Sequence, residues 1–114
     1  MEPAINREAL QELKNLMGES LNDILQTYLD YMPSQIQDLR AAIHEKNADM
    51  VFNLAHKMKS SSSSIGAIGL ARKAEQIELI GRAGKIDGTH DAYDELRKLY
   101  MDVEVVLKRE LGIS

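Results

Sequence analysis

The sequence has no cysteine and no tryptophan, and its 114 residues include one phenylalanine and two prolines. The absence of cysteine excludes disulfide bonds and thiolate metal sites. No stretch approaches about 18 consecutive apolar residues, which excludes a membrane-spanning helix. The N-terminus also lacks the basic region followed by an apolar core that is typical of a secretory signal. We therefore expect a cytoplasmic protein.

Neither sign of charge dominates the chain. It has 14 Lys and Arg residues against 18 Asp and Glu residues, for a net charge of −4. The two signs are interspersed, so the basic face that a nucleic acid requires is missing. Lys57, Lys59, Arg72 and Lys73 form a local basic patch around the serine run Ser60–Ser64. Such a patch either attracts a phosphate or an acidic partner or is an ordinary solvated face, and the spacing leaves both open.

Hydrophobic residues make up 44% of the chain, and Leu, Ile, Ala and Met dominate them. This composition favours helices, because straight side chains lose little rotamer freedom there. The length fits one domain, 1–114, with a real core. The three-and-four spacing predicts an all-α fold, an antiparallel four-helix bundle with an additional short N-terminal helix. The predicted helices span residues 6–17, 19–46, 47–65, 68–82 and 90–111.

Proline and glycine mark the expected irregularities of this bundle. Pro33 lies inside the second helix, where we expect a kink or a short break. Gly81, Gly84 and Gly88 predict a loop of about ten residues before the last helix. In the helix before that loop, the pair Leu79-Ile80 is expected to face inward.

A helical projection of the third helix places His56 opposite the apolar positions Leu54, Met58 and Ile65. The projection predicts that His56 projects to solvent. Lys59, three residues later, brings its ammonium beside the imidazole, and the small Ser60 leaves open space over the ring.

An exposed histidine beside a lysine is either an ordinary surface residue or a nucleophile toward a phosphoryl group. A neutral imidazole nitrogen attacks near pH 7. The added group brings about two negative charges, which a neighbouring lysine offsets. Periodicity alone leaves the two roles equally favoured.

The segment Ala55-His56-Lys57-Met58-Lys59-Ser60-Ser61 is followed by Ile65-Gly66-Ala67 and then by Leu70 and Glu78. This pattern resembles the signature of the histidine phosphotransfer (HPt) domains of bacterial phosphorelay signalling, over roughly residues 19–85. The family has a glycine directly after the lysine, where this chain has Ser60. Ser60 either narrows the range of partners, tunes the transfer rate or is neutral, and the sequence leaves all three open.

The resemblance implies a phosphoryl carrier of a two-component phosphorelay that is not itself a kinase. His56 would accept the phosphoryl group on Nε2 from an aspartate of a receiver domain and pass it to another receiver. Lys59 would lie next to the phosphate. The implied partners are receiver domains of response regulators and a hybrid sensor histidine kinase. The receiver would supply Mg²⁺, so this chain would need no cofactor or metal of its own.

The partner is expected to dock on the third helix around His56, with the second helix widening the surface. Phe52 is either a binding anchor or a single exposed apolar residue. Glu75 and Glu78 are predicted to lie on a helix surface, where they need not be catalytic. We expect a monomer that binds neither nucleic acid nor membrane. The expected docking surface comprises Phe52, Asn53, Lys57, Ser60, Ser63, Met32, Gln35 and Ile36.

Two alternatives to the relay stay open. One is a non-catalytic helical interaction module that binds a signalling partner through Phe52, His56 and Lys59. A weaker one is a dimerising element like those of histidine kinases, which would need an additional apolar stripe.

Overall fold

The computed structural model describes residues 3–113, which form five α-helices and no strand. The predicted all-α bundle with a short N-terminal helix is confirmed, and every predicted boundary lies within two residues of the observed one. The helices are α1 (Arg7–Met17), α2 (Ser20–His44), α3 (Ala48–Ser64), α4 (Ile68–Ala83) and α5 (Thr89–Leu111).

Four of these helices enclose the core. α3 contacts α2 and α4, and α5 contacts the same two helices, so α2 to α5 close around a shared interior. α1 packs on α2, and the backbone N–H of Asn6 donates to the Gly66 carbonyl at 2.9 Å. The centre is aliphatic, and its fully buried members include Leu25, Leu39, Met58, Ile77 and Leu96.

Asparagine side chains begin two of the helices. The Oδ1 of Asn6 accepts from the backbone N–H of Ala9 at 3.2 Å, and that of Asn47 accepts from Met50 at 3.1 Å. Each bond satisfies a backbone donor that the first helical turn leaves without a partner. The Asn47 cap fixes where α3 begins, and therefore where His56 lies along it.

The structure bears on both expected irregularities. α2 runs from Ser20 to His44 as one helix with Pro33 inside it, so the short break is absent, while the kink stays a prediction. Gly81 lies inside α4, so the connection to α5 is shorter than the predicted loop and begins at Gly84, which ends α4 with a φ of 76°. A left-handed residue at this position is a common helix end, and glycine adopts it without strain.

The prediction that Leu79 faces inward is wrong, because its side chain is exposed. Successive helical residues are 100° apart, so Ile77 and Leu79 point in different directions when Ile77 occupies the core. Ile80 is half-buried.

The serine run is part of α3, as the helix predicted over residues 47–65 requires. Ser62 is fully buried, and its hydroxyl shares a hydrogen bond of 2.8 Å with the hydroxyl of Tyr28 on α2. The Ser64 hydroxyl donates to the Ser60 carbonyl at 2.8 Å, one turn earlier in the helix. Because these side chains are small, α3 has little side-chain bulk between His56 and its C-terminal end.

Candidate functional site

A buried carboxylate joins the histidine and the lysine that the sequence singles out. The Nδ1 atom of His56 forms a short hydrogen bond with Oε2 of Glu78. Lys59 Nζ donates to the other oxygen, Oε1, at 2.7 Å. His56 and Lys59 lie on α3 and Glu78 lies on α4, so the cluster spans the interface between these helices. Lys59 lies beside the imidazole as predicted, and both side chains bind the same carboxylate.

Close packing of α3 and α4 brings Glu78 within reach. A Cβ atom at Gly81 would lie 2.7 Å from the Phe52 backbone nitrogen and 3.0 Å from the Ala48 carbonyl oxygen. No other residue fits there without moving one of the helices. Gly81 follows Glu78 by three residues on α4, so the close approach occurs within one helical turn of the carboxylate.

The prediction that Glu78 lies on the surface is wrong, because the residue is only 3% exposed. Glu75, one turn away, is exposed as predicted. The buried α4 residues Ala71, Ala74, Glu78 and Gly81 recur at spacings of three and four, so they share the face toward the interior. An acid within a stripe of small residues is the sequence signal that could have identified Glu78.

The electrostatics of the cluster determine which nitrogen of a neutral His56 ring carries the proton. The hydrogen bond from Lys59 lowers the pKa of the Glu78 carboxyl below its ordinary 4.5, and His56 adds to this effect while burial opposes it. Glu78 is therefore ionised at neutral pH and can only accept hydrogen bonds. It follows that Nδ1 of a neutral His56 carries the proton and that Nε2 keeps its lone pair.

Aromatic stacking completes the surroundings of the ring. The Phe52 ring lies nearly parallel to the His56 ring, with centroids 6.0 Å apart and an interplanar angle of 15°. On Phe52, the guanidinium carbon of Arg82 lies 5.4 Å from the ring centroid. Phe52 is half-buried between these contacts, whereas 55% of the His56 side chain is exposed. His56 is thus exposed as predicted, and its contacts with Glu78 and Phe52 also restrain the ring.

The predicted docking residues of α3 and α2 differ in exposure. Asn53, Lys57, Ser60 and Ser63 on α3 are exposed, and their contact with a partner stays a prediction.

The predicted docking positions of α2 lie deeper. Ile36 is 5% exposed and lines the side between α2 and α5, so the expectation that it widens the surface around His56 is wrong. Met32 is 1% exposed and belongs to the core, which also corrects the expectation of an accessible side chain there. Gln35 is half-buried. Met32 and Ile36 are four residues apart on the inward face of α2, which explains their burial.

An open groove beside α3 contains residues that the sequence did not single out. Ile24 and Tyr31 of α2 are both exposed, and they line the groove together with Lys57 and Ser61 of α3. Met32 and Gln35 also line it. The apolar surface of this groove is therefore contributed by positions other than Ile36.

The predicted basic patch is partly neutralised by acids. Lys59 is paired with Glu78, and Lys73 is paired with Glu95 of α5. Lys57 remains an exposed cation one residue from His56.

Two further properties concern only residues 3–113. They contain no group of three or more His, Cys, Asp or Glu side chains that could hold a metal ion. No helix among them combines the length and the apolar character needed to cross a membrane.

Comparison with known proteins identifies one family model and one solved structure. The model of the Hpt domain matches residues 23–105, well over half of the chain. The crystal structure of histidine-containing phosphotransfer protein B (HptB) from Pseudomonas aeruginosa PAO1 matches with a TM-score of 0.92 and 22% sequence identity. The match covers 98% of this chain and 97% of that chain. No curated protein sequence matches the chain significantly.

Proposed function

The chain belongs to the Hpt domain family and acts in phosphoryl transfer within a phosphorelay, and we propose that His56 carries the phosphoryl group. The observation that carries this proposal is the contact between His56 Nδ1 and the buried, ionised Glu78. His44 and His90 line a different groove, between α2 and α5, away from this carboxylate.

The geometry supports a direct transfer from a receiver aspartyl phosphate to Nε2. The Nε2 lone pair attacks phosphorus and forms the N–P bond, while the P–O bond to the aspartate breaks and its electron pair returns to the carboxylate oxygen. The proton on Nδ1 stays on the ring, which therefore gains positive charge as the bond forms. The Glu78 carboxylate at Nδ1 stabilises that charge, because it is ionised and fixed in place before the reaction. Return transfer to a second receiver reverses these steps.

Lys59 has the complementary role toward the phosphoryl group. That group adds about two negative charges beside the ring. The ammonium of Lys59 is three residues from His56 on the same helix and is partly exposed, so it is able to approach the phosphoryl oxygens. Lys59 is thus a phosphate neighbour as well as the partner of Glu78.

Hpt domains exchange phosphoryl groups with receiver domains, and the finer assignment of partners belongs to this proposal. We assign receivers of response regulators and of a hybrid sensor histidine kinase as acceptor and donor. The receiver supplies Mg²⁺, and this chain acts as a cytoplasmic, monomeric carrier with neither kinase activity nor a cofactor of its own. Binding to nucleic acid or membrane has no part in it.

Radiolabelled transfer from a phosphorylated receiver tests the assignment of His56. The protein should acquire a label that is labile in acid and stable in alkali, and His56→Gln should abolish it. His90→Gln is the matched control and should be labelled like the parent. If His56→Gln is labelled as strongly as the parent, the proposal fails. If no receiver labels the protein while a receiver still binds it, the non-catalytic interaction module is the better description.

The same assay tests Lys59. Lys59→Ala should slow transfer by about tenfold, the effect of losing one hydrogen bond to a charged group, and should leave the helical circular dichroism spectrum unchanged. An unchanged rate would remove Lys59 from the mechanism.

A further inference from the structure

The aromatic contact beside His56 has no part in the chemistry described above. Phe52 precedes His56 by four residues on α3, one helical turn, so the two rings meet on one face of the helix. Their separation of 6.0 Å and angle of 15° fall within the range of offset stacking. Phe52 therefore lies nearly parallel to the imidazole and beside it.

Contacts from α4 hold Phe52 on both its backbone and its ring. The backbone of α3 at Phe52 lies against Gly81, where a Cβ atom would come within 2.7 Å of the Phe52 nitrogen. Arg82, the next residue of α4, places its guanidinium 5.4 Å from the Phe52 ring centroid. A guanidinium at this distance from an aromatic ring is attracted by the ring's electrons. Consecutive residues of α4 thus support the same side chain of α3.

Glu78 and Phe52 restrain different movements of the His56 ring. The hydrogen bond at Nδ1 fixes one atom of the imidazole, and the ring remains able to tilt about that atom. Stacking against Phe52 limits the tilt, because a tilted ring would lose its parallel contact or collide with Phe52. Together the two contacts hold the direction in which the Nε2 lone pair points.

We propose that Phe52 is a positioning residue for phosphotransfer and that Arg82 acts through it. This inference rests on the proposed role of His56 and deepens it. In-line attack requires the Nε2 lone pair to point at phosphorus, and a receiver presents its aspartyl phosphate in one orientation. A held imidazole plane therefore raises the rate within the bound complex without adding to the affinity of that complex.

Saturation kinetics with the receiver that labels His56 separate positioning from docking. Phe52→Leu keeps apolar volume but removes the flat face, and it should lower the transfer rate at saturating receiver by about fivefold. The half-saturating concentration of receiver should stay within about twofold of the parent value. Phe52→Tyr retains the ring and should restore the rate. A raised half-saturating concentration with an unchanged saturated rate would make Phe52 a docking anchor and overturn the inference.

A double-mutant cycle tests the role of Arg82. Arg82→Gln alone should lower the saturated transfer rate by about twofold to threefold, because it removes the cation from the Phe52 face. In the Phe52→Leu background the same change should have no further effect, since Arg82 acts only through the ring. Independent, multiplicative effects would show that Arg82 acts directly on the partner or the phosphoryl group.

Nuclear magnetic resonance of the free protein gives a readout that needs no receiver. The parent and Phe52→Tyr should show contacts between the two aromatic rings and a single rotamer of His56. Phe52→Leu should show the His56 ring averaging over a wider range of tilt about Nδ1, while the resonances of the core stay in place. A His56 ring as restricted in Phe52→Leu as in the parent would overturn the inference. If His56→Gln were labelled, the proposed function would fail, but the restraint of the His56 ring by Phe52 in the parent protein would still stand.

Discussion

α3 contacts its two neighbouring helices through buried polar groups of different kinds. Toward α4, the ionised Glu78 binds His56 and Lys59, whose side chains both reach solvent. Toward α2, the hydroxyls of Ser62 and Tyr28 share a hydrogen bond of 2.8 Å, and both residues are buried. Burial raises the pKa of the Tyr28 hydroxyl, so this second contact stays neutral at physiological pH.

The two contacts differ in what they do. The contact toward α4 acts on an exposed ring, whereas the contact toward α2 stabilises the fold. Glu78 acts on a ring whose other nitrogen is available to a partner. The hydroxyls of Ser62 and Tyr28 bind each other, and this hydrogen bond compensates for the water that both hydroxyls lose. A buried polar group with partners at the surface is therefore the better guide to function in this fold.

Of the two contacts, removing the charged one should have the larger effect on transfer. Glu78→Ala removes the acceptor at Nδ1 and should lower the transfer rate from a phosphorylated receiver by about 100-fold. Glu78→Gln keeps an acceptor oxygen but loses the charge, and it should lower the rate by about tenfold. Glu75→Ala, an exposed acid on the same helix, serves as the control with an unchanged rate. Transfer at the parent rate in Glu78→Ala would show that the charged contact, like the neutral one, does not contribute to transfer.

Removing the neutral contact should affect stability instead. Ser62→Ala and Tyr28→Phe should each lower the free energy of unfolding in urea by about 1–2 kcal/mol, because each leaves a buried hydroxyl without its partner. The double variant should lose less than the sum of the single losses, since the second change removes the orphaned group. Ser62→Ala should transfer phosphoryl groups at the parent rate. Fully additive losses, or slowed transfer in Ser62→Ala, would contradict this division.

The smallest expected effect is a pH dependence that belongs to the charged contact alone. The folded state lowers the Glu78 pKa below 4.5, so the ionised carboxylate adds stability that is fully present above that pH. The contribution is lost as the pH falls below 4.5 and through the folded-state pKa. Urea unfolding below pH 4.5 should therefore show a steeper loss of stability in the parent than in Glu78→Gln. Equal slopes would mean that folding does not lower the pKa of Glu78. Other acids such as Glu95 contribute equally to both slopes, because both proteins contain them.

The parts of the site that lie on one helix could be predicted from the sequence. His56 and Lys59 both belong to α3, and the phase of a single helix follows from its apolar residues. The same reasoning placed the helix boundaries, because caps such as Asn47 are local signals.

The parts that require two helices could not be predicted in this way. Whether Glu78 reaches His56 depends on the register of α4 against α3, which the close approach at Gly81 sets. The burial of Ile36 and the exposure of Ile24 likewise depend on how α2 is rotated between its two neighbours. The spacing of these residues in the sequence does not specify that rotation, because all of them fit a three-and-four pattern.

The sharing of one ammonium between two anions has a thermodynamic consequence for a carrier. A carrier that held its phosphoryl group too tightly would be an end point of the relay rather than a step within it. Lys59 is already bound to Glu78 at 2.7 Å, so it gains less from a phosphoryl group than an unattached lysine would. On the proposed role of Lys59, the phosphorylated form would consequently be stabilised only in part. The contact proposed to prepare His56 for the group would then also ease its release.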